Sequence, residues 1–272
     1  MLKKAKNVHP KISVVMPSYN KASFIARSIE SVVSQDYIYK ELFIKDGGST
    51  DGTVEIIKKF AKKYPKIIRW VSTKDKGQTD AINYGLKRVK GEILTYLNAD
   101  DVYKPHAFFE VGNFFLKNGS VMWLCGRCDI IDENDIEVRK FITTYKNLGL
   151  FLYSYKSLLV LNYISQMACF FRKEAFLENG DFNLKYDYAM DYDYWLRLGQ
   201  KYPPAILSTY LASFRTEKST KSSKGYHKQF KEELEIAKKY TKNKLILKLH
   251  FIHYLLTIRV YSIINIFKYF DK

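Results

Sequence analysis

Cysteine is scarce in this chain: three in 272 residues, at positions 125, 128 and 169. An odd, sparse set excludes a disulfide framework and fits a reducing compartment. Cys125-Gly-Arg-Cys128 spells a CxxC pair, but no second pair or nearby histidine completes a zinc site. The pair also lies in the apolar run from Val121 to Ile131, which reads as a strand. Residues three apart on a strand face opposite sides, so the two thiols should diverge. No stretch of about 18 uncharged apolar residues occurs, so no membrane-spanning helix is expected. The basic N-terminus is not followed by an apolar segment, so no signal peptide is expected and a cytoplasmic location follows. Internal repeats are absent. No Gly-rich, basic triphosphate loop stands before Pro17, which argues against a nucleotidyltransferase.

What is present is apolar, aromatic and basic. Apolar residues make up 47% of the chain, enough to bury the core of one large α/β domain with a small appendage. The 22 tyrosines and 18 phenylalanines suit sugar-stacking surfaces or a membrane interface, and a compositional bias would produce the same excess. The formal charge of +17 implies an anionic partner: nucleic acid, acidic lipid or the diphosphate of a nucleotide. From Arg215 onward 14 Lys/Arg stand against 5 Asp/Glu, so the charge is concentrated towards the C-terminus.

The first hundred residues alternate strand-like and helix-like patterns. Strands are expected at 12–16, 42–44, 67–71 and 93–97, with helices at 22–34, 54–64 and 80–89. Repetition of this length implies parallel pairing with right-handed crossovers, and buried parallel strands read as continuous apolar runs, as these do. The expected fold is α/β, a Rossmann-like, doubly wound and mostly parallel sheet flanked by helices. The second half is less regular. It offers strands at 123–131 and 166–171, an apolar helix or loop at 148–161, and a helix at 189–201. A Lys/Ser/Thr-rich loop follows at 213–225, then a mostly helical stretch to the end.

Ligands of such sheets bind beyond the carboxyl ends of the strands. Four polar clusters stand at those places: Pro17-Ser-Tyr-Asn20, Asp46-Gly-Gly-Ser-Thr-Asp-Gly52, Lys74-Asp-Lys-Gly-Gln78 and Asn98-Ala-Asp-Asp101. In the second, glycines permit a tight turn and close approach to a ligand, and Ser49, Thr50 or Asp51 would cap the next helix. This is an ordinary strand-to-helix turn or a site where Asp46 meets a nucleotide base; the turn alone does not separate them. In the fourth, adjacent carboxylates repel unless a cation or hydrogen bonds stabilise them, and a divalent ion would do so while clamping a diphosphate.

Together with Asp75-Lys-Gly-Gln-Thr-Asp-Ala-Ile-Asn83, Gly180-Asp-Phe182, Met190-Asp-Tyr-Asp-Tyr-Trp-Leu-Arg-Leu198 and Ser213-Phe-Arg215, these clusters resemble the family 2 glycosyltransferases of the GT-A fold. The resemblance runs over roughly residues 10–216, with the motifs in the family's order. It implies that Pro17, Tyr19, Asn20, Asp46, Gln78, Asp80, Asn98 and Asp100 line a nucleotide-sugar site. It also implies that Asp100, with Asp101 beside it, holds a divalent ion, Mn2+ or Mg2+. Asn98 stands where the family's DxD motif begins with Asp, and Gly47 stands where a second Asp often follows the first.

By the same resemblance Asp191 matches the catalytic base, which must reach the acceptor hydroxyl opposite the leaving nucleotide. Asp193 is the competitor, but Arg197 four residues on offers it a surface ion pair. Asp191 has Tyr194 and Trp195 at those spacings. Trp195 is a core residue or a sugar-stacking ring. The QxxRW motif and membrane spans of processive members are lacking, so single-sugar addition is implied.

Residues 1–214 are expected to form the catalytic domain and 215–272 a basic loop with an amphipathic helical tail. The loop around 213–223 is a diphosphate lid or a solvated linker. The tail from Leu245 to Phe270 carries Lys248, Arg259 and Lys268 among aliphatic and aromatic residues. It suits an interfacial helix on anionic lipid, or a helix packed on the domain or on a second copy. The expected activity is transfer of one sugar from a nucleotide diphosphate, UDP above all, to a glycan or lipid-linked acceptor. It would take place at the inner face of the cell membrane with no nucleic acid involved. The rival is a non-catalytic RNA- or lipid-binding protein on a degenerate transferase fold.

Overall fold

The computed structural model describes residues 9–216 and 221–270, the last including two short stretches, 221–224 and 263–270, known by backbone alone. The alternating pattern of the first hundred residues folds into β1 (Ile12–Ser18), α1 (Ile25–Val33), β2 (Lys40–Asp46), α2 (Thr53–Lys63), β3 (Ile68–Ser72), α3 (Gln78–Leu86) and β4 (Ile93–Tyr96). All three strand pairings among them are parallel, with Val14 beside Leu42 on one side and Thr95 on the other.

The second half adds β5 (Val102–Tyr103), α4 (Ala107–Lys117), β6 (Trp123–Ile131), α5 (Lys140–Phe151) and α6 (Tyr155–Val160). A 3-10 turn at Gln166–Ala168 leads into β7 (Cys169–Arg172), then α7 (Lys173–Asn179), α8 (Met190–Lys201), β8 (Ala205–Arg215), α9 (Lys221–Tyr240) and α10 (Lys244–Phe270). The sheet runs β3-β2-β1-β4-β7-β6-β8-β5, mixed but mostly parallel. β7 is antiparallel to both β4 and β6, and β5 is antiparallel to β8.

Helices cover both faces, and β1 shows why. Ile12, Val14 and Met16 enter a core shared with α1, α2 and α4. Val15, pointing the other way, enters a core shared with α3, α8 and α9. The second core needs a close approach between α3 and β1, where a Cβ on Gly85 would lie 2.4 Å from a Val15 methyl. Trp195 is fully buried there, stacked on Trp123 at 5.4 Å, and its role is packing. Cys125 and Cys128 do fall in opposite cores, and Cys125 instead meets Cys169 across the β6–β7 pair, sulfur to sulfur at 3.2 Å.

Several expectations change. Residues 148–161 are the end of one helix and a second short one. The strand expected from Gln166 begins only at Cys169. α4 and β8 were not anticipated. The polar loop expected from Ser213 is partly strand, since Ser213, Phe214 and Arg215 pair with Asp129, Ile130 and Ile131. The part of the expected lid at 217–220 lies outside the described residues.

The C-terminal helices pack on the domain. Ile236 and Ala237 of α9 are fully buried. In α10 the buried His250 places Nδ1 2.8 Å from the carbonyl of Leu159 at the end of α6. The outer side of α10 exposes Leu245, Leu249, Phe251 and Leu256. Among the described residues no helix is long and apolar enough to cross a membrane.

Candidate active site

Backbone hydrogen bonds tie the loops beyond β1, β2, β3 and β4 into one surface. Gly47 N–H donates to Ser18 O at 2.8 Å, Thr73 N–H to Asp46 O at 3.0 Å, and Leu97 N–H to Val15 O at 2.9 Å. Asn20, in a left-handed conformation, knits the first two loops together. Its side-chain oxygen accepts from Thr50 N–H at 3.0 Å, and its own N–H donates to Ser49 Oγ at 2.8 Å. Pro17 is buried inside β1, whereas Tyr19 stands out from the edge, 62% exposed.

Asp46 is fully buried and committed to its own turn. It accepts from Gly48 N–H and Ser49 N–H at 2.9 Å each, from Ser72 Oγ at 2.6 Å and from Ser49 Oγ at 2.5 Å. Burial disfavours its charge, but the bonds from Ser49, Ser72 and Gly48 prevail and hold the carboxyl below its usual value. Asp46 thus shapes the turn that follows β2.

Gly47 has a local reason. A Cβ there would sit 3.1 Å from the Asp75 carboxylate, which is gripped by the buried Lys45 ammonium at 2.9 Å and by Gly77 N–H at 3.0 Å. Asp75 therefore brings an acid to the space beside Gly47. Asp80, in the first turn of α3, accepts from Lys76 N–H at 3.1 Å.

Beyond β4 the two adjacent acids separate. Asp101 is fully buried: one oxygen accepts from Arg215 N–H at 2.9 Å, the other from Asn98 Nδ2 at 3.0 Å. Burial and the neighbouring Asp100 push its carboxyl well above the usual range. The expected pairing of Asp100 with Asp101 at a cation thus meets an Asp101 whose two oxygens both have internal partners. Asp101 is turned inward by Arg215, which also donates from Nε to Asp100 O at 2.8 Å. The Asn98 amide is likewise engaged, its oxygen accepting from Gln78 Nε2 at 2.6 Å.

Asp100 keeps partial exposure, with the Lys21 ammonium on Oδ2 at 2.6 Å. No group of three acidic, histidine or cysteine side chains converges among the described residues. The residues fit a hard divalent ion of the kind held by one carboxylate, with substrate phosphates and water completing its shell.

Asp191 reaches the same edge through α3. Gln78, bonded to Asn98, adjoins Thr79, whose hydroxyl touches the sulfur of Met190. Asp191 is half-buried, and its one hydrogen bond among the described residues comes from Tyr192 N–H at 2.8 Å. Burial pushes its carboxyl up to about 6, against that N–H and the field of Lys146 and with some help from Glu232.

Asp193 differs in kind. Its carboxylate is buried rather than at the surface, and Arg197 at 3.0 Å, the half-exposed Lys239 at 3.3 Å and Tyr240 Oη at 2.8 Å all address it. Ala189, the residue before α8, cannot cap the helix. Glu232 of α9, 43 residues away, instead holds the chain just before the helix, accepting from Tyr188 N–H at 2.8 Å and Ala189 N–H at 3.0 Å.

Sequence reasoning missed Lys21, Asp75, Arg215 and Glu232 as parts of the site. The first two stand inside or beside the polar strand-end clusters and were open to notice; Glu232 carried no signal.

The family model for Glycosyl transferase family 2 matches residues 13–180. An uncharacterised glycosyltransferase of Haemophilus influenzae is 30% identical over 206 residues, covering 75% of this chain and 78% of that one. Other curated relatives are longer, and the chain spans 38% of one and 31% of another. Among solved structures, the mannosyltransferase PcManGT of Pyrobaculum calidifontis, in complex with GDP-Man and Mn2+, superposes with a TM-score of 0.69 at 18% identity, covering 89% of this chain and 69% of that one. Residues 1–349 of S. aureus TarS, in complex with UDP-GlcNAc, give 0.60 at 18% identity, covering 83% and 66%. At such identities the likeness is one of fold.

Proposed function

Because the chain belongs to glycosyl transferase family 2, we propose that it is an inverting, non-processive transferase with Asp191 as general base. It moves one hexosyl or N-acetylhexosaminyl group from a nucleotide diphosphate, UDP in the first instance, to an acceptor hydroxyl in surface-glycan assembly. One observation carries this reading. Asp46, Asp101 and Asp193 have their oxygens taken up by internal partners, whereas Asp191, at the same edge, keeps one oxygen without a partner among the described residues.

The chemistry follows from that contrast. The acceptor hydroxyl donates to the open Asp191 oxygen and loses its proton there as its oxygen attacks the anomeric carbon. The carbon–oxygen bond to the diphosphate breaks on the opposite face, and the anomeric configuration inverts. Desolvation makes Asp191 a stronger base than an exposed aspartate, while Tyr192 N–H holds the carboxylate in place. The loops around Asn20, Asp46 and Asp75 shape the donor seat, with Tyr19 exposed beside it and Asp80 and Gln78 at the start of α3. A Mn2+ or Mg2+ ion on Asp100 supplies positive charge to the departing diphosphate.

In the same reading the protein sits on the inner, anionic face of the cell membrane. α10 carries four basic and no acidic residues and exposes leucines on its outer side, the mixture that holds a helix at a lipid interface.

The test of the chemistry is Asp191→Asn with UDP-sugar donors. Transfer should fall by about 10²–10⁴ while donor binding, followed calorimetrically, persists, and NMR of the wild-type product should show the inverted anomer. Wild-type transfer rates in the variant would move the base elsewhere, and a retained anomer would exclude single displacement. Flotation with anionic and neutral vesicles tests the tail: Lys248→Glu with Arg259→Glu should abolish capture by anionic vesicles alone.

A further inference from the structure

The donor edge carries a cation of its own. Lys21 places its ammonium 2.6 Å from Asp100 Oδ2, with side-chain exposures of 27% and 13%. The position is built from behind. Lys21 N–H donates to Thr53 Oγ1 at 2.8 Å, Ala22 N–H to Asp51 at 3.0 Å, and Asn20 is fixed to the loop beyond β2 on both sides. The ammonium therefore extends from an anchored backbone.

Its partner has no substitute. Asp101 is turned inward by Arg215 and Asn98, and Asn98 is held by Gln78. Any cation at this turn must use Asp100.

We propose that Lys21 is a built-in counter-ion that a divalent metal must displace from Asp100. The inference rests on the reading above only in taking Asp100 as the carboxylate that meets the metal. A bare divalent ion approaching Asp100 finds one oxygen already engaged and a like charge within contact distance, so it binds weakly. An ion that arrives with a diphosphate brings negative charge to which the released ammonium can turn, and the exchange becomes favourable. Lys21 thereby couples metal binding to donor binding, and it balances the charge of Asp100 while the site waits.

The experiment is a Mn2+ titration of the full chain without nucleotide, read by the EPR signal of the free ion. Lys21→Met should bind Mn2+ roughly tenfold more tightly than the wild type, the scale of a partly screened ion pair. Lys59→Met, which removes the same charge from the exposed side of α2, should leave the affinity unchanged. Adding Asp100→Asn to Lys21→Met should remove the gain. Circular dichroism establishes that each variant is folded. If Lys21→Met binds Mn2+ no more tightly than Lys59→Met, or if the gain survives loss of Asp100, the proposal fails. Because no donor or transfer enters this measurement, such a failure leaves the test on Asp191 untouched.

Discussion

Replacing Asp191 by Asn should do two opposite things at once. A carboxyl raised from 3.8 to about 6 by burial prefers its protonated form by roughly 3 kcal/mol over an exposed one. Partial exposure to water reduces the strain of holding the charge at neutral pH to about 1–2 kcal/mol. The isosteric amide has no charge to desolvate, so the variant should unfold at higher urea concentration than the wild type at pH 7.5, by about that margin. The sign sets the pH window. The folded value lies above the unfolded one, so the wild type loses stability as pH rises from 3.8 towards 6. The variant's advantage should be absent below that window, grow through it and level off above. Transfer should fall by about 10²–10⁴, the contribution of a positioned general base, and wild-type kcat/KM should itself decline as pH drops through about 6. Paired urea melts and initial rates at four pH values check this. A variant less stable than the wild type at pH 7.5 would mean that Asp191 is held by structural partners, and the reasoning would be refuted.

Asp193→Asn should behave in the contrary way, losing about 1–3 kcal/mol of stability because the buried carboxylate's bonds to Arg197, Lys239 and Tyr240 are weakened; the same melts measure it. Glu232→Ala strips the acceptor from the amides before α8 and should cost about 1–3 kcal/mol. It should also lower kcat more than the donor's KM, which steady-state kinetics would resolve. Gly47→Asp forces a second carboxylate against Asp75, whose oxygens lie 3.1 Å from the new Cβ. The melting temperature should drop, and Asp75→Asn in the same chain should restore part of it.

The strand-end loops were legible because their residues follow strand ends in unbroken sequence, where local pattern and position coincide. The contacts that distant segments make with the acids were not. Asp101 looks like a metal ligand beside Asp100, and only Arg215, 114 residues away, turns it inward. Asp193 reads as a surface partner of Arg197 until Lys239 and Tyr240 of α9 close over it. The tether ahead of α8 was invisible for the same reason: Glu232, which holds Tyr188 and Ala189, belongs to a stretch that reads only as basic helix. α4 was missed because Phe109 and Phe114 sit on its less buried side and blur the apolar period of Phe108, Val111 and Phe115. β8 escaped because Ser208, Thr209 and Tyr210 are exposed, which breaks the run of apolar residues expected of an inner strand.

The division of the interior into two cores separates upkeep from chemistry. α1, α2 and α4 share one side of the sheet and act as foundation. The helices bearing Gln78, Asp191 and Glu232 lie on the other. Substitutions beneath the first set tune how firmly the sheet stands without redirecting any reacting group. Repacking that face can therefore move Asp191 and its neighbours while the other core keeps its arrangement.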